Sequence, residues 1–189
     1  MKFWVLIPAR AGSTRLPNKP LLDIAGKPMI AHVIETAKKS GANKIIVATD
    51  DQRVKSVSET FGATAIMTSV HHESGSDRIA EVAKILDAPD NQIIVNLQGD
   101  EPLMPPGIIK KVAKLKEENK KVHVTTVATQ VENFNEILDP NCVKVILNQY
   151  NEAIYFSRSV IPYQRDKSNE SSNLAYNSSI TNNQVSYLR

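Results

Sequence analysis

Residues 3–20 read FWVLIPARAGSTRLPNKP, and this stretch decides the fold. Phe3 to Ile7 is a short, wholly apolar run that ends at Pro8, a pattern typical of a strand buried on both faces. The segment that follows, up to Pro20, is rich in small and basic residues and has no helical or strand periodicity. The stretch therefore predicts a buried strand whose carboxyl end opens into a polar loop.

Strands and helices alternate outward from this first strand. Apolar positions recur at helical spacing between residues 29 and 37, and Gly41 then acts as a stop signal. Further strands are predicted at residues 44–49, 64–67 and 92–97, with helical stripes at residues 54–61, 79–86 and 108–113. Strands separated by helices predict right-handed crossovers, and hence an α/β fold built on a doubly wound, mostly parallel sheet.

The pattern loosens after about residue 120. Residues 142–147 and 153–157 are expected to form a strand pair joined through residues 148–151. Residues 164–185 are rich in Ser and Asn and poor in apolar residues, so we expect a flexible loop there.

The composition narrows the classes of function. A formal net charge of +3 suits anionic substrates but lacks the concentrated basic face of a nucleic-acid-binding protein. Cys142 is the single cysteine, so an internal disulfide is impossible. No apolar run approaches the roughly 18 residues of a membrane span, and the first residues do not form a signal peptide. We therefore expect a cytoplasmic protein with neither a nucleic-acid nor a membrane partner.

The loop after the first strand carries three cations, Arg10, Arg15 and Lys19, which together can neutralise a triphosphate. Gly12 and Ser13 are small enough for their backbone N–H groups to approach a phosphate closely. The spacing matches neither GxxxxGK[ST] nor GxGxxG, so the loop is neither a P-loop nor a dinucleotide fingerprint. A basic surface loop is the alternative, but the concentration of cations at one strand end favours phosphate binding.

Two further segments are candidates for the same ligand, because ligands of doubly wound sheets bind at the carboxyl ends of strands. Thr49-Asp50 ends the second strand, and Ser74-Gly75 precedes a helix whose first turn contains Arg78. Each has an equally good alternative, since Asp and Ser commonly cap the helices that follow them. A helix N-terminus also suits an anionic or polar ligand.

Gln98-Gly99-Asp100 follows the very apolar strand at residues 93–97. A carboxylate at the mouth of a buried strand, near a phosphate loop, is a typical ligand for Mg²⁺. This ion takes one or two carboxylates and fills its other positions with phosphate oxygens and water. A polar turn residue is the alternative. Because Gly99 lets the backbone turn sharply, we predict that Asp100 is the metal ligand.

Five segments together resemble the 3-deoxy-manno-octulosonate (Kdo) cytidylyltransferases and run collinearly over nearly the whole chain. They are IPARAGSTRLPNKPLLDIAGKPMI, KIIVATDD, SGSDRIAEV, IIVNLQGDEP, and NCVKVILN followed by YFSRSVIPY. The resemblance implies a Rossmann-like nucleotide-diphospho-sugar transferase fold and a cytoplasmic enzyme that is usually a homodimer. It also implies a reaction in which CMP moves from CTP to Kdo with Mg²⁺ as cofactor. The products would be pyrophosphate and CMP-Kdo for lipopolysaccharide biosynthesis.

The resemblance also implies residue roles. Lys19, Arg10 and Asp100 would be catalytic, with Lys19 stabilising charge as pyrophosphate departs and Asp100 binding Mg²⁺. The full expected substrate-binding set is Ala9, Arg10, Gly12, Ser13, Arg15, Lys19, Thr49, Asp50, Ser74, Gly75, Arg78, Gln98 and Arg158. In that set Ser74 and Gly75 would lie near the cytosine and ribose, whereas Gln98 and Arg158 would face the sugar.

Members of this family continue well past the equivalent of residues 187–189, so we expect the chain to lack a C-terminal portion that normally supplies part of the sugar pocket. The predicted single domain, residues 1–189, comprises a nucleotide-binding core at 1–130 and the start of a sugar-binding or dimerisation part at 131–163. Two alternatives stay open. One is a non-catalytic homologue that still binds nucleotide or a partner subunit. The other is a cytidylyltransferase for another acidic sugar, such as 8-amino-Kdo or a sialic acid.

Overall fold

The computed structural model describes residues 1–12, 16–131 and 133–161. The chain separates into two compact units, Met1–Thr125 and Thr126–Arg189. The flexible loop expected at residues 164–185 lies outside the described residues. The division into a core at 1–130 and a second part at 131–163 stays a prediction. No helix in the described ranges is long and apolar enough to cross a membrane.

The first unit alternates strands and helices as the sequence predicts, except for a short 3₁₀ helix and a small hairpin before the first α-helix, which the sequence analysis did not predict. Its elements are β1 (Phe3–Ala9), a short 3₁₀ helix (Lys19–Leu21), β2 (Asp23–Ile24), β3 (Lys27–Pro28), α1 (Met29–Lys39), β4 (Lys44–Thr49), α2 (Gln52–Thr60), β5 (Thr64–Met67), α3 (Gly75–Ile85), β6 (Ile93–Asn96) and α4 (Pro106–Glu118). β2 and β3 form a small antiparallel hairpin that precedes α1.

Four strands of this unit pair in parallel in the order β5-β4-β1-β6. The chain therefore winds outward from β1 through β4 to β5, then crosses back to place β6 on the other side of β1. This reversal is the switch point of a doubly wound sheet, and ligands of such sheets bind in the crevice it creates. The predicted fold class, α/β with a doubly wound parallel sheet, is confirmed.

β1 is apolar on both faces because helices cover both. Alternate side chains of a strand point to opposite faces of the sheet. One face of β1, with Phe3, Val5 and Ile7, packs in a core cluster with buried residues of α1, α2 and α4: Ile30, Val33, Ile34, Ala37, Val54, Ile109 and Ala113. The other face, with Trp4 and Leu6, packs against residues of α3 and β4: Ile46, Ala48, Ile79 and Val82.

β1 does not stop at Pro8, as the sequence predicted, but continues to Ala9. The carbonyl of Leu6 accepts a hydrogen bond from the backbone N–H of Leu97, so the backbone polar groups of Leu6 point towards β6. The direction of the backbone polar groups alternates along a strand with a period of two. The backbone nitrogen of Pro8 therefore also points to the β6 side. β6 has already ended opposite Leu6. The missing N–H of Pro8 therefore affects only the β6 side, where the ladder ends, while the other edge of β1 pairs with β4 as far as Ala9.

The second unit contains α5 (Phe134–Leu138), β7 (Lys144–Leu147) and β8 (Ala153–Ser157) among its described residues. β7 and β8 pair antiparallel, which confirms the predicted strand pair. Lys144 is completely buried, and its Nζ donates to the carbonyls of Asp139, Cys142 and Arg158 at 2.9, 2.8 and 2.7 Å. The lysine thus ties the start of the hairpin to its end.

Candidate functional site

The carboxyl ends of β1 and β6 and the start of α3 enclose a cavity of about 280 Å³ in the first unit. Three groups of predicted site residues meet there. They are Ala9 at the end of β1 with Arg10 and Lys19 after it, Ser74, Gly75 and Arg78 around the start of α3, and Gln98 and Asp100 after β6. Segments far apart in the sequence thus converge because the strand order places β1 beside β6. Gly12 is described and exposed, whereas Ser13 and Arg15 lie outside the described residues.

Lys19 and Asp100 form an ion pair at this cavity, with 2.7 Å between Nζ and Oδ2. Their side chains keep 35% and 51% of their exposure, so water screens the pair and its contribution to stability is about 1 kcal/mol or less. Arg10 also lines the cavity and is exposed. The site therefore presents the cations Arg10 and Lys19 and the carboxylate of Asp100 to solvent, and the Lys19–Asp100 pair contributes little to the stability of the fold.

Gly99 allows the turn after β6 to lie against the end of β1. A Cβ atom at this position would sit 2.7 Å from the carbonyl oxygen of Pro8, closer than side-chain Cβ atoms come to any atom. Gly75 approaches the same proline from α3, where a Cβ would lie 3.1 Å from the Pro8 Cγ. Gly99 is therefore needed for the close approach of the two backbone segments, and the position of Asp100 depends on it, whereas Gly75 only allows close packing against the Pro8 ring.

Asp50 joins two of these segments. Its Oδ1 accepts the backbone N–H of Ala11 at 3.2 Å, and its Oδ2 accepts from the Arg78 guanidinium at 2.7 Å. The Asp50 and Arg78 side chains are 13% and 3% exposed. The capping role considered for Asp50 belongs to its neighbour Asp51, whose Oδ1 accepts the N–H groups of Arg53 and Val54 at the start of α2.

The side chains of Thr49 and Ser74 both accept hydrogen bonds from nearby backbone N–H groups. Thr49 is completely buried, and its hydroxyl accepts from the N–H of Asp51. Ser74 forms a capping box with Asp77 at the start of α3, as the alternative interpretation expected. Ser74 nevertheless lines the cavity, so it can cap and contact a ligand at once. Whether Thr49 or Ser74 binds substrate stays a prediction.

His72 and Glu73 line the cavity too, and the sequence analysis missed both. The His72 Nε2 lies 2.6 Å from Oε2 of Glu81, which also accepts the N–H of Ser69. The hydrogen bond with His72, followed by that from Ser69, lowers the pKa of the Glu81 carboxyl. A signal was present, because the polar residues HHE directly precede the capping box that opens α3.

Two more residues complete the predicted set. Gln98 lines the cavity, and its side-chain amide donates to Oδ1 of Asn96 at 2.9 Å. Arg158 belongs to the second unit, where its guanidinium donates to the carbonyl of Pro140 at 2.8 Å. Its expected place on the sugar side stays a prediction.

The donor set at Asp100 fits a magnesium ion that arrives with a phosphate ligand. Within the described ranges, no group of three or more His, Cys, Asp or Glu side chains is arranged to hold a metal ion. Mg²⁺ needs no such group when phosphate oxygens and water complete its shell, and it then uses one or two carboxylates. Glu101 follows in sequence; burial, and then the charge of Asp100, raises the pKa of its carboxyl.

The chain belongs to the cytidylyltransferase family, whose model matches residues 4–185. The resemblance to Kdo cytidylyltransferases is confirmed in particular. The chain is 51% identical over 179 residues to the 3-deoxy-manno-octulosonate cytidylyltransferase of Coxiella burnetii, covering 95% of this chain and 72% of that protein. It is 54% identical over 168 residues to the enzyme of the same name from Haemophilus influenzae, covering 88% of this chain and 65% of that protein.

Solved structures agree with this assignment. A structure of CMP:2-keto-3-deoxy-manno-octonic acid synthetase complexed with CTP matches 99% of this chain and 70% of its own, with a TM-score of 0.81 and 40% identity. A cytidylyltransferase from Leptospira borgpetersenii matches 64% of this chain and 51% of its own, with a TM-score of 0.54 and 27% identity. The chain thus spans 65–72% of the length of the three Kdo-specific relatives described here.

Proposed function

We propose that this chain binds CTP and Kdo and transfers CMP between them, giving CMP-Kdo and pyrophosphate. The observation that carries the proposal is the meeting of Lys19 and Asp100 at 2.7 Å where the segments after β1 and β6 converge. A cation and a carboxylate at the switch point of a doubly wound sheet are the groups that a metal-bound polyphosphate requires. Membership of the cytidylyltransferase family supports CTP as the nucleotide.

In the proposed reaction the anomeric hydroxyl oxygen of Kdo forms a bond to the α-phosphorus of CTP. The bond from that phosphorus to the bridging oxygen breaks, pyrophosphate leaves with the bonding electrons, and the hydroxyl proton passes to water. Such a transfer is catalysed mainly by positioning and by neutralising charge. Arg10 and Lys19, with Arg15 from the same loop, are the residues we assign to the phosphates.

Asp100 would hold Mg²⁺, which when bound neutralises charge on the phosphate oxygens. In the free chain the Asp100 carboxylate accepts a hydrogen bond from the ammonium group of Lys19. This bond engages Oδ2, so Oδ1 would remain for the metal ion, and the partly exposed Lys19 ammonium would lie beside it to pair with a phosphate oxygen.

We assign seven more of the predicted residues to parts of the two substrates. Ala9, Gly12 and Ser13 would contact the phosphates, Ser74 and Gly75 the cytosine and ribose, and Gln98 and Arg158 the sugar. Support for Ala9, Ser74, Gly75 and Gln98 is their place in the lining of one cavity. We further infer a role in lipopolysaccharide biosynthesis, a cytoplasmic location and a homodimer, with no nucleic-acid or membrane partner.

The test is release of pyrophosphate from CTP and Mg²⁺ by this chain, with and without Kdo. Kdo-dependent release is expected in the wild type and is expected to fall sharply in Lys19→Met and Asp100→Asn. Lys114→Met is the matched control, because Lys114 forms an exposed ion pair with Glu118 on α4, at 3.4 Å, outside the cavity lining. Equal losses in Lys19→Met and Lys114→Met would contradict the assignment.

A second candidate function is nucleotide binding without turnover. The observation that favours it is that Arg10, Lys19 and Asp100, assigned to the phosphates and the metal, line one cavity, whereas Arg158, assigned to the sugar, is not in its lining. Mg²⁺-dependent binding of CTP with no Kdo-dependent pyrophosphate release, in a sample shown to be folded, would establish this candidate. Competition among Kdo, 8-amino-Kdo and a sialic acid in the same assay would identify the sugar.

A further inference from the structure

We propose that Asp50 is a positioning residue that fixes the start of the phosphate loop and does not itself contact the nucleotide. The inference rests on the proposed function, because it concerns the same loop. It replaces the expectation that Asp50 belongs to the substrate-binding set. Asp50 is not among the residues that line the cavity, although Arg78, its ion-pair partner, is.

The two oxygens of Asp50 have different partners. Oδ1 accepts the N–H of Ala11 at 3.2 Å, directly after the cation Arg10, and Oδ2 accepts from Arg78 at 2.7 Å. Arg78 also donates to the Thr68 hydroxyl at 2.5 Å. One carboxylate thereby connects the segment after β1 to the loop after β5 and to α3.

The other end of the loop is held by the same turn. The N–H of Asn18 donates to the carbonyl of Ala11 at 3.1 Å, which closes the loop at its base. Arg53 donates to the Asn18 side-chain oxygen at 2.6 Å and is itself paired with Asp51. Ala11 is therefore held by Asp50 directly, and Asn18 is held by Asp51 through Arg53. Arg10 and Lys19 are the neighbours in sequence of these two held residues.

This geometry separates the two aspartates of the site by role. Asp100 lies on the cavity and is half exposed, as a group that exchanges partners with a ligand must be. Asp50 is largely buried with both oxygens engaged inside the protein. A buried carboxylate with two fixed partners is suited to hold a loop in place, and preorganisation of charged groups is a main source of catalytic power.

The experiment compares Asp50→Asn/Arg78→Met with Asp50→Ala/Arg78→Met. Neither double variant leaves a charge unpaired at this position, and both lack whatever Arg78 contributes to ligand binding. They differ only at residue 50, where asparagine keeps a side-chain oxygen for the Ala11 N–H and alanine does not. Amide hydrogen exchange at Ala11 and the affinities for CTP and CMP are measured in both, in the presence of Mg²⁺.

We expect the Ala11 amide to exchange at least tenfold faster in the alanine variant than in the asparagine variant, with unchanged exchange in β1. We also expect CTP to bind at least fivefold more weakly in the alanine variant, with a smaller change for CMP. A general loss of stability would instead weaken both nucleotides alike. Equal Ala11 exchange and equal CTP affinity in the two variants would overturn the proposal.

The wild type gives an independent test if the double variants do not fold. The Ala11 amide is expected to be protected, whereas the Gly12 amide, which has no acceptor among residues 1–12, 16–131 and 133–161, is expected to exchange freely. An unprotected Ala11 amide would refute the positioning role. Wild-type protein that fails to bind CTP but protects Ala11 would refute the proposed function and leave this inference intact.

Discussion

Replacing Gly99 with alanine tests how the turn after β6 controls the site. The new Cβ would lie 2.7 Å from the carbonyl oxygen of Pro8, and ordinary contact begins at 3.4 Å. The turn or the end of β1 must therefore move by about 0.7 Å, the difference between these two distances, to restore an ordinary contact. The obstacle is the backbone at the end of the central strand β1, not the flexible end of a side chain, so a change of rotamer cannot relieve the strain.

Strain of this kind costs about 1–3 kcal/mol. In a protein of this size that corresponds to a fall in the melting temperature of roughly 2–4 °C for each kcal/mol. Asp100 is the next residue, so its 2.7 Å contact with Lys19 is expected to lengthen with the shift. Misplacement by about 1 Å can cost a hundredfold in rate, and we expect about a tenfold loss of pyrophosphate release for this smaller displacement.

The measurements are thermal unfolding and Kdo-dependent pyrophosphate release, with Gly107→Ala as the control. A Cβ at Gly107, in the first turn of α4, meets nothing within 4 Å, and alanine favours a helix over glycine by about 0.5–1 kcal/mol. The control is therefore expected to be as stable as the wild type or more so. A Gly99→Ala variant with wild-type melting temperature and activity would show that the close approach to Pro8 does not fix the turn.

Three further predictions follow from the site and its surroundings. Lys19→Met is expected to change stability by less than about 1 kcal/mol, since its ion pair is well exposed. Its pyrophosphate release is expected to fall about 10- to 100-fold, the value of a charge-assisted hydrogen bond; a variant of wild-type activity would remove Lys19 from the mechanism. In Asp100→Asn the affinity for CTP is expected to lose its dependence on Mg²⁺. Calorimetric titration of CTP with and without Mg²⁺ measures this dependence, and a dependence as strong as that of the wild type would contradict the metal role of Asp100. The Arg53 side chain lowers the pKa of Asp51 to about 2 from 3.8, so the stability due to its charge is present above about pH 4 and lost as the pH falls towards 2. Urea unfolding should show wild type more stable than Asp51→Asn by about 1 kcal/mol near neutral pH, with a gap that narrows below about pH 4; a constant gap would contradict this origin.

The four strands of the parallel sheet and the α-helices of the first unit could be predicted because each of these strands has an apolar core run and each of these helices a regular apolar stripe. The predicted bounds of β4 and β5 agree with the structure to the residue. β1 was predicted too short, because a proline was taken to end it. Whether a proline interrupts a strand depends on where the neighbouring strand stops, and the end of β6 opposite Leu6 is a property of the sheet that no local pattern contains.

The candidate site was predicted less completely for the same physical reason. Lys19 and Asp100 could be brought together in advance, because parallel strands end on one edge and the strand order is restricted. The roles of Asp50 and Asp51 could not be separated, since both follow β4 and either could cap α2 by the local rule. The choice depends on Arg78 and Ala11, 28 and 39 residues away from Asp50 along the chain.

The sheet of the first unit becomes shorter towards its edges. β1 and β4, in the middle, have seven and six residues, whereas β5 and β6, at the sides, have four each. An unpaired edge strand offers its N–H and C=O groups to other molecules and can seed aggregation, and short edge strands offer few of them. The most apolar segment of the chain, FWVLI in β1, has a parallel partner on each side. The strand order that places the loop after β1 at the switch point thus also keeps the FWVLI segment away from the sheet edges, where it could pair with other chains.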